Sequence, residues 1–346
     1  MRLTNTFSLF LSGALAWGLC GCDKKDTTAV AQQPVATGQV GEMAPDHIVA
    51  MVNGTPLTWA DMEKRAMGYL KDDMEVNHLV IPTNRIGEAK EHFRRRSVNA
   101  FVFKTVMMDE AARQKIALAE VDRQEGLRQL AASLKTRNWT TNDFFLKGPM
   151  GEVMMRQEFE DGLVIDKLLK KNVREKLKIG DEDISNMANM LNATNQAIQV
   201  KLEGIRKQLL DGADFADVAR NVSEDESAVK GGDLGEFTRG KMLKDFEQPA
   251  FSQEIGAVGP VIQTRFGYHI LKVTARTPAV PATDSTPAVP ETVRLSHILL
   301  KTIPIDHKRI TDSIARSKYN AGRDEYFKVL KSKSKIECFL YPDMVF

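Results

Sequence analysis

A glycine-rich turn in the second half of the chain restricts the possible folds more than any other stretch. The turn, Gly231-Gly232-Asp233-Leu234-Gly235, has three glycines in five residues, and glycine admits positive φ angles at little steric cost. It leads into a predicted strand, and an amphipathic helix follows over Lys241–Phe251, with Met242 and Phe246 four residues apart on one face. Residues Phe266–Val273 then alternate in polarity like a half-buried strand. This order of turn, strand, helix and strand predicts an α+β domain.

Residues Leu210–Val273 together resemble the parvulin family of peptidyl-prolyl cis/trans isomerases. The resemblance runs almost without gaps over DGADFADVARNVSEDESAVKGGDLGEFTRGKMLKDFEQPAF and GPVIQTRFGYHILKV. It implies an FKBP-like domain that is built on an antiparallel sheet and that isomerises Xaa-Pro peptide bonds. Rotation about such a bond crosses a barrier of roughly 20 kcal/mol and requires no nucleophile, metal or cofactor, so none is expected.

One strand of that family stands at an unexpected place in this chain. Parvulins begin with a strand that carries a Ser-His-Ile-Leu sequence, but the residues before Gln199 are predicted to be helical. Val293–Lys301 (VRLSHILLK) supplies that sequence after the last predicted strand. We therefore predict a circularly permuted isomerase domain over residues 199–302, in which Val293–Lys301 lies antiparallel to Tyr268–Val273. The alternative, that Val293 opens a second parvulin domain, is disfavoured because the glycine turn is not repeated after it.

The predicted connection between these two strands has its own composition. Residues 277–292 contain the sequence Thr-Pro-Ala-Val-Pro twice. Proline fixes φ and removes a hydrogen-bond donor, so this stretch predicts a Pro-rich loop of polyproline II character.

The resemblance also implies the site residues. His269 and His297 correspond to the paired histidines of the family, and Asp225 stands where parvulins carry Asp or Cys. We expect these three residues to be catalytic through charge and hydrogen bonding. The pocket for the proline ring is expected to contain three apolar side chains: Met242, Phe246 and Phe251. No basic cluster follows Lys301 directly, so an activity directed at phosphorylated sites is not expected.

Residues 47–182 are predicted to be mostly helical after a short strand at His47–Asn53. The stretches IVAMVNGTPLTWADMEKR and MMRQEFEDGLVIDKLLKKNV resemble the chaperone domain of secreted folding factors of the SurA/PrsA type. That resemblance implies that residues 303–346 complete the same domain, with a helix over Asp306–Lys331 and a strand over Lys335–Leu340 that pairs with His47–Asn53. The expected fold class is α+β, with the isomerase domain inserted into a helical chaperone domain.

Hydrophobic periodicity predicts the helices Glu88–Lys115, Val121–Leu134 and Met150–Lys170 in the chaperone-like region. Inward-facing positions in the last of these are expected to be Met154, Phe159, Leu163, Ile165 and Leu168. The triplet Arg94–Arg96 could favour nucleic-acid binding, but acidic residues stand close by and the net charge is only +2. We interpret the triplet as a solvated helix face and expect no nucleic-acid partner.

The N-terminus carries an export signal. The apolar run Phe7–Leu19 has 13 residues, too few for a membrane-spanning helix, and is typical of a signal peptide, here residues 1–21. The sequence Leu19-Cys20-Gly21-Cys22 resembles a bacterial lipobox, which implies lipidation at Cys22 with Cys20 as a rival site. The alternative is an ordinary secretory signal. Residues 22–46 lack periodicity, which predicts a disordered tether after the lipid site.

These patterns predict a membrane-anchored lipoprotein of the cell envelope or periplasm. The expected activity is peptidyl-prolyl isomerisation combined with a chaperone function, and the expected partners are unfolded exported proteins that contain Xaa-Pro bonds. The alternative is a binding-only chaperone whose parvulin domain is catalytically silent. The lone Cys338 is expected to be a half-buried structural thiol.

Overall fold

The computed structural model describes residues 41–346 except 77–79, 136–137, 283–286 and 345. The predicted signal peptide, Cys22 and most of the predicted tether lie outside the described residues. The chain divides into two compact units. We call them the helical unit (residues up to Lys178, together with Ala315–Phe346) and the sheet unit (Ile179–Ile314). The predicted α+β fold class is confirmed, with antiparallel sheets among the helices.

The helices and strands are numbered separately in chain order. The helices are α1 (Trp59–Val76), α2 (Ile86–Arg113), α3 (Glu120–Leu134), α4 (Thr141–Lys147), α5 (Glu152–Asn172), α6 (Asp181–Leu210), α7 (Phe215–Val222), α8 (Lys244–Ser252) and α9 (His307–Lys331). The strands are β1 (Ile48–Val52), β2 (Thr55–Thr58), β3 (Asp233–Thr238), β4 (Val258–Thr264), β5 (Gly267–Thr277), β6 (Thr292–Lys301) and β7 (Ile336–Cys338).

A three-stranded sheet ties both ends of the helical unit together. Its order is β2-β1-β7, and Ala50 lies opposite Cys338 in an antiparallel register. The predicted pairing of the C-terminal strand with the first strand is thereby confirmed. The Cys338 thiol is half-buried, and burial raises its pKa above the ordinary value. Thr58 caps α1, because its hydroxyl oxygen accepts the N–H of Asp61 at 3.2 Å.

The folded part of the chain begins earlier than expected. The Ala44 carbonyl accepts the N–H of His47 at 3.0 Å, and the Pro45 carbonyl accepts the N–H of Ala60, also at 3.0 Å. The last residues of the predicted tether, 44–46, are therefore part of the helical unit. Both bonds are made by backbone groups, which is why composition alone did not indicate them.

Helix α5 packs on the predicted face except at one of the five predicted positions. Met155 is buried together with Phe159 and Leu163, whereas Met154 is only half-buried. Residues 155, 159 and 163 are spaced four apart and so share a face, while residue 154 is rotated by about 100° from it. The predicted inward position of Met154 was wrong, and those of Phe159, Leu163, Ile165 and Leu168 were right.

The arginine triplet of α2 is less solvated than predicted. The side chains of Arg94 and Arg96 are each 13% exposed and form ion pairs with Glu63 and Asp73, respectively. Aromatic rings cover the triplet, with Trp59, Tyr341 and Tyr69 under Arg94, Arg95 and Arg96 in turn. Buried guanidinium groups with carboxylate and aromatic partners are structural contacts of the helical unit, so the prediction of a solvated face was wrong here.

The sheet unit is built on a four-stranded antiparallel sheet with the order β3-β6-β5-β4. Its limits enclose the predicted domain limits of 199 and 302, because α6 is one continuous helix from Asp181. Helices α6 and α7 pack on one face of this sheet through a cluster that includes Leu202, Phe215 and Ile298.

The Pro-rich connection continues the hairpin. The β5–β6 ladder reaches Thr277 opposite Thr292, and Val280 and Val289 then exchange two backbone hydrogen bonds of 2.9 Å each. These valines occupy the same position in the two Thr-Pro-Ala-Val-Pro repeats. The prediction of a polyproline II loop was wrong at this pair, because valine, unlike the prolines around it, has an N–H to donate across the hairpin.

No helix within the described ranges is both long enough and apolar enough to cross a membrane.

Candidate active site

The two histidines singled out in the sequence lie on one face of the central strand pair. In the β5–β6 register, Leu271 is opposite His297 and His269 is opposite Leu299. Side chains alternate along a strand, so His269 and His297 share a face as diagonal neighbours. Both are almost completely buried, with 2% and 4% of their surface exposed. The sheet therefore brings together two titratable rings that stand 28 residues apart in the chain.

The imidazole rings form one line of polar contacts. Nδ1 of His269 lies 3.4 Å from Nδ1 of His297, and the rings are stacked with centroids 5.4 Å apart. On the far side of His269, its Nε2 lies 2.8 Å from the hydroxyl of Thr264. On the far side of His297, Nε2 lies 3.1 Å from Oδ1 of Asp225, although this oxygen is off the direction of an aligned hydrogen bond.

These contacts assign the tautomers. Nε2 of His297 faces a carboxylate, so we place a proton on Nε2 and assign Nδ1 as the acceptor. His269 must then donate from Nδ1, which leaves its Nε2 to accept the hydroxyl proton of Thr264. The Thr264 oxygen accepts the N–H of Phe266 at 3.1 Å and is consistent with this donor role. The result is a directed chain of hydrogen bonds from Thr264 through both rings, with the Asp225 carboxylate in close contact at its end.

Asp225 is held in place by the loop that precedes the glycine turn. Its carboxylate accepts the backbone N–H of Ser227 at 2.9 Å and the Ser227 hydroxyl at 2.6 Å. The loop is fastened to β6, because the N–H of Glu224 donates to the Leu299 carbonyl and the N–H of Leu299 donates to the Ser223 hydroxyl. Burial works to raise the pKa of Asp225, but the bonds from Ser227 and the contact with His297 outweigh it and hold the pKa at about 2.

His269 is uncharged at neutral pH. Burial lowers its pKa to about 4, and the nearby His297 acts in the same direction, while Asp225 acts weakly against both. A neutral ring can donate from one nitrogen and accept at the other, as the assigned chain requires. The site thus presents a hydrogen-bonded pair of imidazoles without adding a positive charge at His269.

The glycine turn is required by the approach of β6. Gly231 and Gly232 have φ angles of +69° and +81°, as predicted from the paired glycines. The Gly232 carbonyl accepts the N–H of His297 at 2.9 Å. A Cβ atom on Gly232 would lie 2.2 Å from the carbonyl oxygen of His297, so only glycine fits. The turn therefore positions the backbone on which His297 is mounted.

A cavity of about 430 Å³ opens over the histidines. Phe246 contacts the ring of His269 edge to face, with centroids 4.7 Å apart. The cavity is lined by polar and apolar side chains: Asp225, Leu243, Phe246, Arg265, Phe266, His269, His297, Leu299, Lys301, Thr302 and Pro304. A flat apolar ring beside a buried polar pair can hold a non-polar ring of a ligand and orient a neighbouring carbonyl group.

Two of the three predicted pocket residues do not line this cavity. Helix α8 begins at Lys244, so Met242 lies in the preceding loop and does not share a helical face with Phe246. Phe251 is buried with Val273 and Leu295 in a core further along the same face of the sheet, and Met242 packs against that core. Phe246 alone of the three meets the histidines.

Sequence reasoning missed other lining residues. Leu243, Phe266 and Leu299 contribute apolar surface, and Arg265 and Lys301 contribute cations. The sequence indicated these residues only in part. Phe266 directly precedes the strand of His269, and Leu299 lies in the strand of His297, but alternation does not show which end of a strand borders a cavity. Throughout the ranges that the structure describes, no group of three His, Cys, Asp or Glu side chains is placed to hold a metal ion.

Comparison with known proteins identifies the family. Residues 171–275 match the rotamase family described as the PPIC-type PPIASE domain. The chain is 42% identical over 128 residues to Foldase protein PrsA of Exiguobacterium sibiricum, covering 35% of this chain and 42% of that protein. It is 40% identical over 87 residues to Peptidyl-prolyl cis-trans isomerase Pin1 of Arabidopsis thaliana, covering 25% of this chain and 73% of the relative. It is 25% identical over 293 residues to Chaperone SurA of Burkholderia lata, covering 77% of this chain and 63% of that protein.

The similarity to the Arabidopsis isomerase extends over 73% of that relative at 40% identity, whereas the foldase from Exiguobacterium is matched over 42% of its length. The family match over residues 171–275 includes the glycine turn, Asp225 and His269, and the last two line one cavity. The chain therefore belongs to the PPIC-type, or parvulin, family of peptidyl-prolyl cis/trans isomerases.

Proposed function

We propose that this protein is a peptidyl-prolyl isomerase and chaperone that assists the folding of exported proteins. The observation that carries the proposal is the buried His269–His297 pair, with Nδ1 atoms 3.4 Å apart, at the floor of a cavity walled by Phe246. Membership of the parvulin family supports the reaction, and the similarity to proteins named foldase and chaperone supports unfolded chains as substrates.

The reaction is rotation about an Xaa-Pro bond, so the site must favour the twisted amide over the planar one. Phe246 offers a flat apolar surface for the proline ring. The chain of hydrogen bonds through His269 and His297 orients polar groups towards the carbonyl that rotates, and Asp225 fixes the outer ring. Because these groups are already ordered, little reorganisation is needed as the bond twists.

A protease-free assay of proline isomerisation tests this mechanism. We expect the wild-type protein to accelerate the cis/trans exchange of a short proline peptide and the His269→Ala/His297→Ala variant to lose about 100-fold in kcat/KM. His307→Ala is the matched control, because this exposed histidine lies in the same unit outside the cavity. Circular dichroism checks that the double variant is folded. Full activity in the folded double variant would contradict the mechanism.

A wild-type protein that suppresses aggregation of an unfolded client without accelerating isomerisation would instead be a binding-only chaperone. The helical unit is the part that we propose to hold clients, since the alignment with the protein named Chaperone SurA covers 77% of this chain and so extends beyond the sheet unit. Measuring client aggregation and peptide isomerisation on the same preparation separates the two functions.

We also propose that the mature protein is a lipoprotein anchored in the cell envelope through Cys22. The lipobox-like Leu19-Cys20-Gly21-Cys22 and the short apolar run before it support this proposal. Cys22→Ala is expected to release the protein from membranes, and Cys20→Ala to leave it bound. Mass spectrometry of the mature N-terminus identifies the modified cysteine, and an unmodified N-terminus on a soluble exported chain would contradict the proposal.

We further propose that the isomerase domain is circularly permuted. The family match ends at residue 275, whereas β6 lies between β3 and β5 in the sheet and carries His297. A chain truncated after residue 290 should therefore lose the sheet unit, because its central strand is missing. Persistence of protected amides in β3–β5 of that truncated chain would show that the domain is complete without β6.

A further inference from the structure

The chain leaves the sheet along the cavity. After β6 ends at Lys301, Thr302 and Pro304 both line the cavity that contains the histidine pair. The N–H of Thr302 donates to the Phe266 carbonyl at 3.4 Å, which is a long bond. We call Thr302–Pro304 the exit segment. Its position makes the connection between β6 and α9 a wall of the candidate active site.

One side chain of α6 holds the middle of the exit segment by both backbone groups. Nδ2 of Asn195 donates to the Ile303 carbonyl at 2.9 Å, and Oδ1 of Asn195 accepts the Ile303 N–H at 2.9 Å. A primary amide carries the same donor and acceptor as a peptide group, so this pairing resembles one rung of a β-ladder. Pro304 has no N–H with which to add a bond of its own.

The identity of residue 195 is unfavourable for the helix that carries it. Asparagine is a poorer helix former than alanine in a helix interior, and Asn195 lies well inside the 30-residue α6. Asn192, one turn earlier in the same helix, is exposed and has the same intrinsic preference. The two residues differ in the contact with Ile303, which makes Asn192 a matched control.

We propose that Asn195 is a positioning residue for specificity: it holds the exit segment against the cavity, and this wall selects which residues next to the proline fit. The inference rests on the proposed isomerase function. Asn195 is not expected to take part in bond rotation, because its side-chain amide is used on the Ile303 backbone. Its loss should therefore change which peptides bind more than it changes the rate at saturation.

The test compares wild type, Asn195→Ala and Asn192→Ala on peptides of the form Ala-Xaa-Pro-Phe, with Xaa as Ala, Leu, Phe, Lys or Glu. We expect the ratio of kcat/KM between the best and the worst peptide to fall at least about threefold in Asn195→Ala, with kcat for the best peptide within about twofold of wild type. Asn192→Ala should match wild type in both quantities. Unchanged ratios in Asn195→Ala would overturn the proposal.

Amide exchange at Ile303 provides the second measurement. Ile303 is 44% exposed, so water can replace the lost bonds and the variant should remain folded while this amide exchanges faster. If the wild-type protein does not accelerate isomerisation, the proposed function fails, and the same ratio is then taken from peptide affinities measured by titration. A silent domain whose affinity ratios are unchanged by Asn195→Ala, or that binds none of the peptides, would overturn the positioning role as well.

Discussion

In the helical unit, the carboxylates of Glu158 and Asp161 are largely buried and paired with opposite charges, whereas in the sheet unit the buried His269 is held without charge. Lys104 lies 2.8 Å from Glu158 and 3.1 Å from Asp161, and Arg65 also contacts Glu158. Burial works to raise the pKa of Glu158, but Arg65 and Lys104 together outweigh it and lower the pKa. His269 has the Thr264 hydroxyl and the His297 ring as its hydrogen-bond partners, and burial lowers its pKa.

Each arrangement is suited to a different task. Opposite charges that join α1, α2 and α5 hold helices together, because separating them would leave a charge in a medium of low dielectric constant. An uncharged His269 keeps a donor and an acceptor beside an apolar wall without requiring a counterion, which suits a site for an uncharged amide. Substitutions and a change of pH can test this contrast between the two units.

The strongest expected effect comes from disturbing the backbone under the histidine pair. Gly232→Ala combines a positive φ with a collision of the new Cβ with the His297 carbonyl, whereas Gly240→Ala has a φ of +76° and open space around the Cβ. We expect the free energy of unfolding of the sheet unit to fall by about 1 kcal/mol in Gly240→Ala and by about 3 kcal/mol or more in Gly232→Ala. Amide exchange of Leu295–Leu300 measures the stability of the sheet unit. Equal losses would show that the close approach of β6 is not limiting.

The ion pairs of the helical unit are tested by removing their shared cation. In Lys104→Met, Glu158 keeps its contact with Arg65 but Asp161 loses its lysine partner. We therefore expect the free energy of unfolding to fall by about 2–3 kcal/mol. Lys147→Met is the control, because the lysine side chain of its pair with Asp143 is 65% exposed, and we expect no measurable change in the free energy of unfolding. Urea unfolding followed by tryptophan fluorescence reports this unit, because Trp59 and Trp139, the tryptophans among the described residues, both lie in it. A loss in Lys104→Met as small as in the control would remove the contrast between the units.

Acid should weaken the sheet unit through His269. Its pKa is about 4 in the folded protein and ordinarily 6.5, so the unfolded chain binds the proton more readily between these values. The corresponding contribution to the free energy of unfolding is complete above pH 6.5 and is lost as the pH falls towards 4. The loss amounts to about 2 kcal/mol at pH 5. The Asp225 contribution has the same sign but is lost only between about pH 4 and 2.

His269→Gln keeps a polar side chain but does not titrate, so its unfolding free energy should change less between pH 7 and pH 5 than that of wild type. His92 in the helical unit also has a pKa lowered by burial, and for this reason the comparison uses the difference between the two proteins. Urea unfolding followed by circular dichroism at both pH values gives that difference. His307→Ala, at an exposed position, should retain the full pH dependence, and an identical pH dependence in His269→Gln would contradict the assignment.

Strand pairing could be predicted from the sequence where alternation and a motif agreed. The residues around His297 alternate and carry the family sequence, and the predicted antiparallel pairing with Tyr268–Val273 is the one observed. The pairing of Cys338 with β1 was also predictable, because only one short apolar run follows the last helix. In both cases the pattern is local to a strand, and its partner is restricted by topology.

The cavity lining could not be predicted in the same way. Met242 and Phe246 have helical spacing, but Leu243 is extended, and α8 therefore begins at Lys244. The contribution of Pro304 depends on the path that the chain takes after β6, and no periodicity encodes that path. Helix spacing describes which residues share a face, whereas a cavity also depends on where the helix begins and on which loops pass over it.

The smallest effect is expected at the tip of the β5–β6 hairpin, far along the ladder from the histidines. Val280 and Val289 are 53% and 46% exposed, and their bridge uses backbone groups that alanine retains. We expect the double variant Val280→Ala/Val289→Ala to lose less than about 0.5 kcal/mol and to keep wild-type isomerisation. Val293→Ala, at a fully buried position of the same hairpin, should lose about 1–3 kcal/mol because it leaves a cavity in the core. Urea unfolding of the three proteins decides between these expectations. A larger loss of unfolding free energy at the tip than at Val293 would mean that the proline-flanked valines, rather than the core on the histidine face of the sheet, hold β6 beside β5.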